Sequence, residues 1–235
     1  MRMERSTVCH GVQGKPLRGP YGALDTAPTG AGEVTIIIIG GHLMFSLSPR
    51  QVRQLLGAVN VRSAFGRRDY LLILFLYQTG LRVGECSGLV VHHVYSGGCA
   101  REWLHLPASI CKGPRGRVLP LNATARLCVE KLIQFNRDRG FSVAPAAPLF
   151  QHRKHGPLSI RSIQKIIKKY REIADLDLRA TPHTLRHSCL SGLAATGASV
   201  ATIQKIAGHR RIASTQVYTH ASMEQLKKDS AALGG

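Results

Sequence analysis

Thr181-Pro182-His183-Thr184-Leu185-Arg186-His187-Ser188 reads as the opening of a helix. Thr181 supplies the N-cap, and Pro182 falls at the first helical position, where a missing N–H costs nothing. His183 and Arg186 then lie three apart, on one face of the first turn. A guanidinium fork beside an imidazole that exchanges a proton near neutral pH suits a phosphate. Downstream, after a break at Gly197, Ser199 caps a second helix with Val200, Ile203, Ile206 and Ala207 on its buried side. Gly208 fits its left-handed stop, and His209 projects from that corner. Tyr218 follows on a short helix that Ser214 can start. Two histidines, an arginine and a tyrosine at the ends of short helices read as a site.

Composition narrows what the site acts on. Lys and Arg number 32 against 13 Asp and Glu in 235 residues, a formal charge of +19. A surplus of that size points to a polyanion, nucleic acid before membrane. The plainer alternative is a solvated basic surface. The cysteines (Cys9, Cys86, Cys99, Cys111, Cys128, Cys189) show no Cys-x-x-Cys and no paired Cys/His spacing, which argues against zinc and for reduced, buried thiols of a cytoplasmic protein. No stretch approaches the ~20 apolar residues of a membrane span. No Gly-rich nucleotide loop appears, so nothing asks for ATP.

Moving outward from the site, residues 1–45 are rich in Gly and Pro, with a strand-like run from Val34 to Ile39 closed by Gly40-Gly41. Poor order is expected there apart from that strand. Ser48-Pro49-Arg50-Gln51 is a capping-box signature, and Val52, Leu55, Leu56 and Val59 repeat at helical spacing. Arg67 to Thr79 is apolar nearly all round, hence a core helix, and Gly80 ends it. Arg82 sits just beyond, either as a functional cation or as a structural partner of Glu85. Trp103–Leu106 and Arg117–Leu121 read as strands flanking a turn at Gly113–Gly116, with Pro120 demanding an edge. Lys112, Arg115 and Arg117 then decorate a hairpin tip able to enter a DNA groove, or a merely solvated basic turn. Asn122 caps a helix with Leu127, Leu132, Ile133 and Phe135 on its apolar face. Ser159 to Ile173 puts Ile163, Ile166, Ile167 and Tyr170 inward and Arg161, Lys165, Lys168 and Lys169 outward, a face that tracks phosphates or is simply solvated. The predicted fold is mainly α with one small antiparallel β-sheet.

The ordered boxes Thr79-Gly80-Leu81-Arg82-Val83-Gly84-Glu85, Cys111-Lys112-Gly113-Pro114-Arg115-Gly116-Arg117-Val118-Leu119-Pro120-Leu121, His183-x-x-Arg186, Gly208-His209 and Tyr218 resemble the catalytic domain of the tyrosine recombinase (phage integrase) family. The resemblance implies residues 46–235 as a recombinase catalytic domain with a short C-terminal tail. It implies Tyr218 as nucleophile, Arg82 and Arg186 on the scissile phosphate, and Glu85 as a buttress. Lys112 is then the general acid, while His183 and His209 are phosphate or proton partners. It implies double-stranded DNA as substrate, no metal and no cofactor, and a tail that in the family docks on a neighbouring protomer to build a tetramer. The family also carries a helical core-binding domain, which residues 1–45 do not resemble; the expectation is that clamping is reduced, that a partner supplies it, or that the start lies elsewhere, as at Met44. The rival readings are a DNA-binding remnant without activity, and a type IB topoisomerase-like enzyme that relaxes supercoils. Tyr218 as a core aromatic and His209 as a C-cap are the bland alternatives at those positions. His187 and His220 carry no expected role beyond packing or surface.

Overall fold

The computed structural model describes residues 36–39, 42–112, 114–176 and 180–208, with side chains from Phe45 onward. His209, Tyr218, His220, the tail and the segment 1–35 lie outside the described residues.

A helix buried on nearly every side, α2 (Gly66–Thr79), runs through the core. Leu71, Leu72, Ile73, Leu74, Phe75 and Leu76 are each at most 2% exposed. Each such side chain contributes about 1.5–3 kcal/mol by leaving water, so this helix anchors the domain. Two helices flank it, α5 (Ala123–Asp138) and α7 (Pro182–Ala195). The expected caps operate: Asn122 accepts from the Ala125 N–H and Thr181 from the Thr184 N–H. At the entry to α1 (Pro49–Gly57), Ser48 and Gln51 exchange hydrogen bonds as a capping box. α6 (Ile160–Ile173) packs on α1 and α7 and buries Ile163, Ile167 and Tyr170. Two short helices, α3 (Val83–Ser87) and α4 (Val91–Val94), follow α2, and α8 (Val200–Ala207) packs on α7 through Leu190, Ile203 and Ala207.

Instead of one small sheet there are three two-stranded antiparallel ones among the described residues. β5 (Trp103–Leu106) and β6 (Arg117–Pro120) form the expected hairpin, in the register Trp103↔Pro120 to Leu106↔Arg117. β3 (Tyr95–Ser96) and β4 (Cys99–Ala100) turn through Gly97-Gly98, both at positive φ. β1 (Ile36–Ile39) pairs with β2 (His42–Phe45), so the apolar run has a partner that its sequence neighbours did not advertise. The chain leaving β2 is tied to α7, where the Leu47 N–H donates to Ser188 Oγ at 2.6 Å.

One feature of α2 escapes its apolar periodicity. At its N-terminal end Arg68 is buried and donates to Asp69 Oδ1 through Nε and Nη2 (3.0 and 2.6 Å) and to the Gln151 carbonyl (2.9 Å). The Tyr170 hydroxyl from α6 donates to the other Asp69 oxygen at 3.1 Å. Burial, then the Asp69 charge and bond, push that phenol up from its ordinary pKa.

Candidate active site

The C-terminal end of α2 is where the candidate residues assemble. Gly80 leaves the helix at φ +61°, and Leu81 is buried beneath the turn. The chain is therefore pinned on both sides of Arg82, which opens α3 in an extended conformation. Glu85, one turn on, reaches back and accepts from the Arg82 backbone N–H at 2.8 Å. The same carboxylate accepts from Arg82 Nη1 at 3.0 Å. Glu85 is 1% exposed, whereas the Arg82 side chain is 27% exposed. Arg82 is thus both partnered to Glu85 and open on one side.

Arg186 comes in from the first turns of α7, set by the Thr181 cap. It donates to the Gly80 carbonyl at 2.6 Å and to the Ala207 carbonyl at 2.5 Å. Arg82 Nη2 donates to the Gly208 carbonyl at 3.2 Å. The two arginines therefore hold adjacent carbonyls at the end of α8, where unpaired helix carbonyls and the negative end of the helix dipole favour cations. Gly208 makes that turn at φ +61°, the left-handed region where a side chain is strained.

His183, three residues before Arg186, is exposed and shares a 2.7 Å Nε2–Nε2 hydrogen bond with the buried His187. One ring donates and the other accepts. Partial desolvation, then the charges of Arg186 and Arg82, hold His183 below the ordinary histidine pKa. That shift favours the neutral imidazole, the form able to accept a proton. His187, expected only to pack, is the hydrogen-bond partner of His183. Its signal was the spacing, since His183 and His187 are four apart on one helix face.

The expected DNA-contacting cations divide. Lys112 and Arg115 are exposed on the turn between β5 and β6. Arg161, Lys165, Lys168 and Lys169 lie along the exposed face of α6, with Lys168 near Glu172 (3.8 Å) and Lys169 Nζ 5.0 Å from the Tyr170 ring centroid. Arg117 is placed apart from its neighbours of the turn. It points inward and forks onto Glu85, Nη1 to Oε1 at 2.5 Å and Nη2 to Oε2 at 2.8 Å. Strand alternation carried that signal, because Arg117 shares a face with the buried Leu119. Burial by itself would raise the Glu85 carboxyl, but the bonds from Arg117 and Arg82 outweigh it and hold the group below the usual glutamate pKa. Among the described residues no group of three His, Cys, Asp or Glu side chains could hold a metal ion, and no helix is long and apolar enough to cross a membrane.

An Arg–Glu box after a buried helix, a His-x-x-Arg helix and a Gly-ended helix converge here. Residues 46–225 match the model of the phage integrase family. The chain belongs to that family. It is 32% identical over 189 residues to the tyrosine recombinase XerC of Anoxybacillus flavithermus, covering 77% of this chain and 59% of that one. It is 33% identical over 201 residues to XerD of Corynebacterium glutamicum, covering 84% and 64%. The chain thus spans about three fifths of the length of these curated relatives. Among solved structures, the fold is similar to the Tn1549 transposon integrase in complex with transposon right end DNA, with a TM-score of 0.68 at 20% identity over 83% of this chain and 68% of that one. It is also similar to the XerA recombinase, with a TM-score of 0.62 at 21% identity over 80% and 64%.

Proposed function

We propose that this chain is the catalytic part of a site-specific DNA recombinase that cuts double-stranded DNA through Tyr218 and rejoins it without metal, ATP or other cofactor. The observation that carries the reading is the convergence of Arg82, from the start of α3, with His183 and Arg186, from α7, at the turn that ends α8. Family membership supports it. The Tyr218 phenol oxygen attacks phosphorus, and the bond to the 5′ oxygen breaks. The phenol proton passes to neutral His183, and Lys112 supplies a proton to the departing 5′ oxygen. Arg82 and Arg186 neutralise the non-bridging oxygens as the five-coordinate phosphorane forms, with His209 donating beside them. The 3′-phosphotyrosyl ester conserves the energy of the broken bond, so a new 5′-hydroxyl can reclaim the strand. Lys112 and Arg115 on the hairpin, and Arg161, Lys165, Lys168 and Lys169 on α6, would follow the phosphates of the duplex. The work is cytoplasmic, and the segment after Tyr218 docks protomers into a tetramer on DNA.

A trapping assay tests this. Nicked suicide duplexes tiled from the DNA flanking the protein's own gene are mixed with wild type and Tyr218→Phe and run on a denaturing gel. A covalent band from wild type alone is expected. A band retained in the variant would move the nucleophile elsewhere, and retained DNA binding with no band would leave a DNA-binding remnant. Relaxation of supercoils without partner DNA would instead indicate a topoisomerase. Lys112→Ala should slow cleavage of ordinary DNA and recover on a duplex with sulfur at the bridging 5′ position, whose leaving group needs no proton.

A further inference from the structure

We propose that Arg117 is a positioning residue for phosphate capture, holding the Glu85 carboxylate so that Arg82 keeps both its orientation and its charge for the DNA. The inference rests on the reading above.

Glu85 is a carboxylate held out of solvent at the start of α3. A carboxylate at 1% exposure has lost its water, and a buried charge of that kind must be neutralised. Were Arg82 its sole partner, the pair would be neutral, and a phosphate arriving at Arg82 would meet little net attraction. Arg117 changes that count. It takes both carboxylate oxygens in a fork, at 2.5 and 2.8 Å, and Arg82 Nη1 meets only one of them, at 3.0 Å. A bidentate guanidinium fork is the stronger arrangement. Two guanidinia on one carboxylate leave a formal charge of +1, and the exposed member is Arg82, at 27%, while Arg117 is at 12%.

Arg117 also shapes the neighbouring turn. A Cβ built on Gly208 would lie 2.8 Å from Arg117 Nη1 and 3.0 Å from its Cζ. The guanidinium occupies the space a side chain at 208 would need, and Gly208 passes its carbonyl to Arg82. One strand residue thereby sets the carboxylate that aims Arg82 and the floor of the turn leading to His209. A side chain engaged in this way is not extended toward a DNA groove, which separates Arg117 from Lys112 and Arg115 on the same hairpin.

The test uses the full chain with Arg117→Met, Arg117→Lys, Arg82→Met and the double variant Arg82→Met/Arg117→Met. Thermal midpoints establish that each is folded, and Arg117→Lys, which retains the charge, serves if the Met variant is not. Two readouts follow: duplex affinity against salt, and the single-turnover cleavage rate at saturating suicide duplex. Arg117→Met should lower that rate about 100-fold, on the scale of losing one charge-stabilising donor. Duplex affinity and its salt slope should change by no more than they do in Arg82→Met, through which Arg117 acts. Arg117→Lys should recover the rate in part, since a lysine restores charge without the fork. The double variant should fall no further than Arg82→Met, as expected of residues acting as a unit. The bridging-sulfur duplex should not rescue Arg117→Met. Weaker affinity with a salt slope reduced by about one, at unchanged saturated rate, would make Arg117 a phosphate contact and overturn the proposal. Additive losses would overturn it too. If wild type forms no adduct on any duplex, the strand-transfer reading fails by itself. Binding of inorganic vanadate, a mimic of the phosphorane, then decides Arg117: weakening in Arg117→Met to the level of Arg82→Met supports its role, and unchanged binding removes it.

Discussion

At the N-terminal end of α2, Arg68 donates to Asp69; just past its C-terminal end, Arg82 donates to Glu85. Both carboxylates are buried and both are met by a second element, a tyrosine hydroxyl from α6 in one case and a strand arginine in the other. The difference lies in what is left over. Arg68 and Asp69 are both 8% exposed, and the arginine spends its remaining reach on a backbone carbonyl inside the protein. One cation answers one anion, and the cluster is closed. Around Glu85 two cations answer one anion, and the surplus sits on the arginine that faces out. Identical side-chain chemistry thus gives a closed clasp at one end of a helix and, at the other, a cluster with a surplus positive charge on an exposed arginine, the feature on which the proposed phosphate site rests.

The two arginine–carboxylate clusters should differ most sharply when Arg68 is lost. Arg68→Met should leave Asp69 buried without its counter-charge and cost about 3–5 kcal/mol of stability, read as a lowered urea midpoint. Arg82→Met should do the converse, cutting single-turnover cleavage by about 10²–10³-fold with a thermal midpoint close to wild type. If Arg82→Met proved as destabilising as Arg68→Met, the two ends of α2 would be the same kind of clasp. Acid sharpens the contrast further. Because Glu85 is held below its ordinary pKa, the unfolded chain binds that proton first as pH falls. Its contribution is fully present above about pH 4.3, the unfolded value, and is lost as pH drops through the lower folded one. The stability gap between wild type and Glu85→Gln should therefore hold from neutral pH to about 5 and close below about 4.3. Tyr170→Phe should have the smallest effect, about 1 kcal/mol in urea unfolding with cleavage unchanged, because only one bond to Asp69 is lost.

Much of the architecture was legible in order of residues. The Ser48 capping box, the all-apolar α2, the Asn122 cap and the Thr181-Pro182 helix start are local signals, each satisfied within three or four residues. The small strands were less legible. β2 and the β3–β4 hairpin are too short for alternation to register, and their pairing depends on partners outside any local window. The site shows the same division. Arg82, Glu85, His183 and Arg186 stand out by spacing, yet the inward turn of Arg117 and the His183–His187 bond require knowing which way a strand and a helix face.

What this sequence determined by itself is the chemistry on offer: a polyanion-seeking surplus of charge, a set of caps that start and stop the helices, and arginine, histidine, lysine and tyrosine boxes in the order of the phage integrase family. Local periodicity and capping act over a few residues, so they survive reading one window at a time. Only the tertiary structure decided which cations act together. Glu85 and Arg117 are separated by 32 positions, and Arg82 and Gly208 by 126. Those contacts exist because the chain leaving buried α2 carries Arg82 to the carbonyl at the end of α8 and Glu85 to Arg117 on β6. Charge balance around a buried carboxylate is a property of that meeting, and no window of sequence contains it.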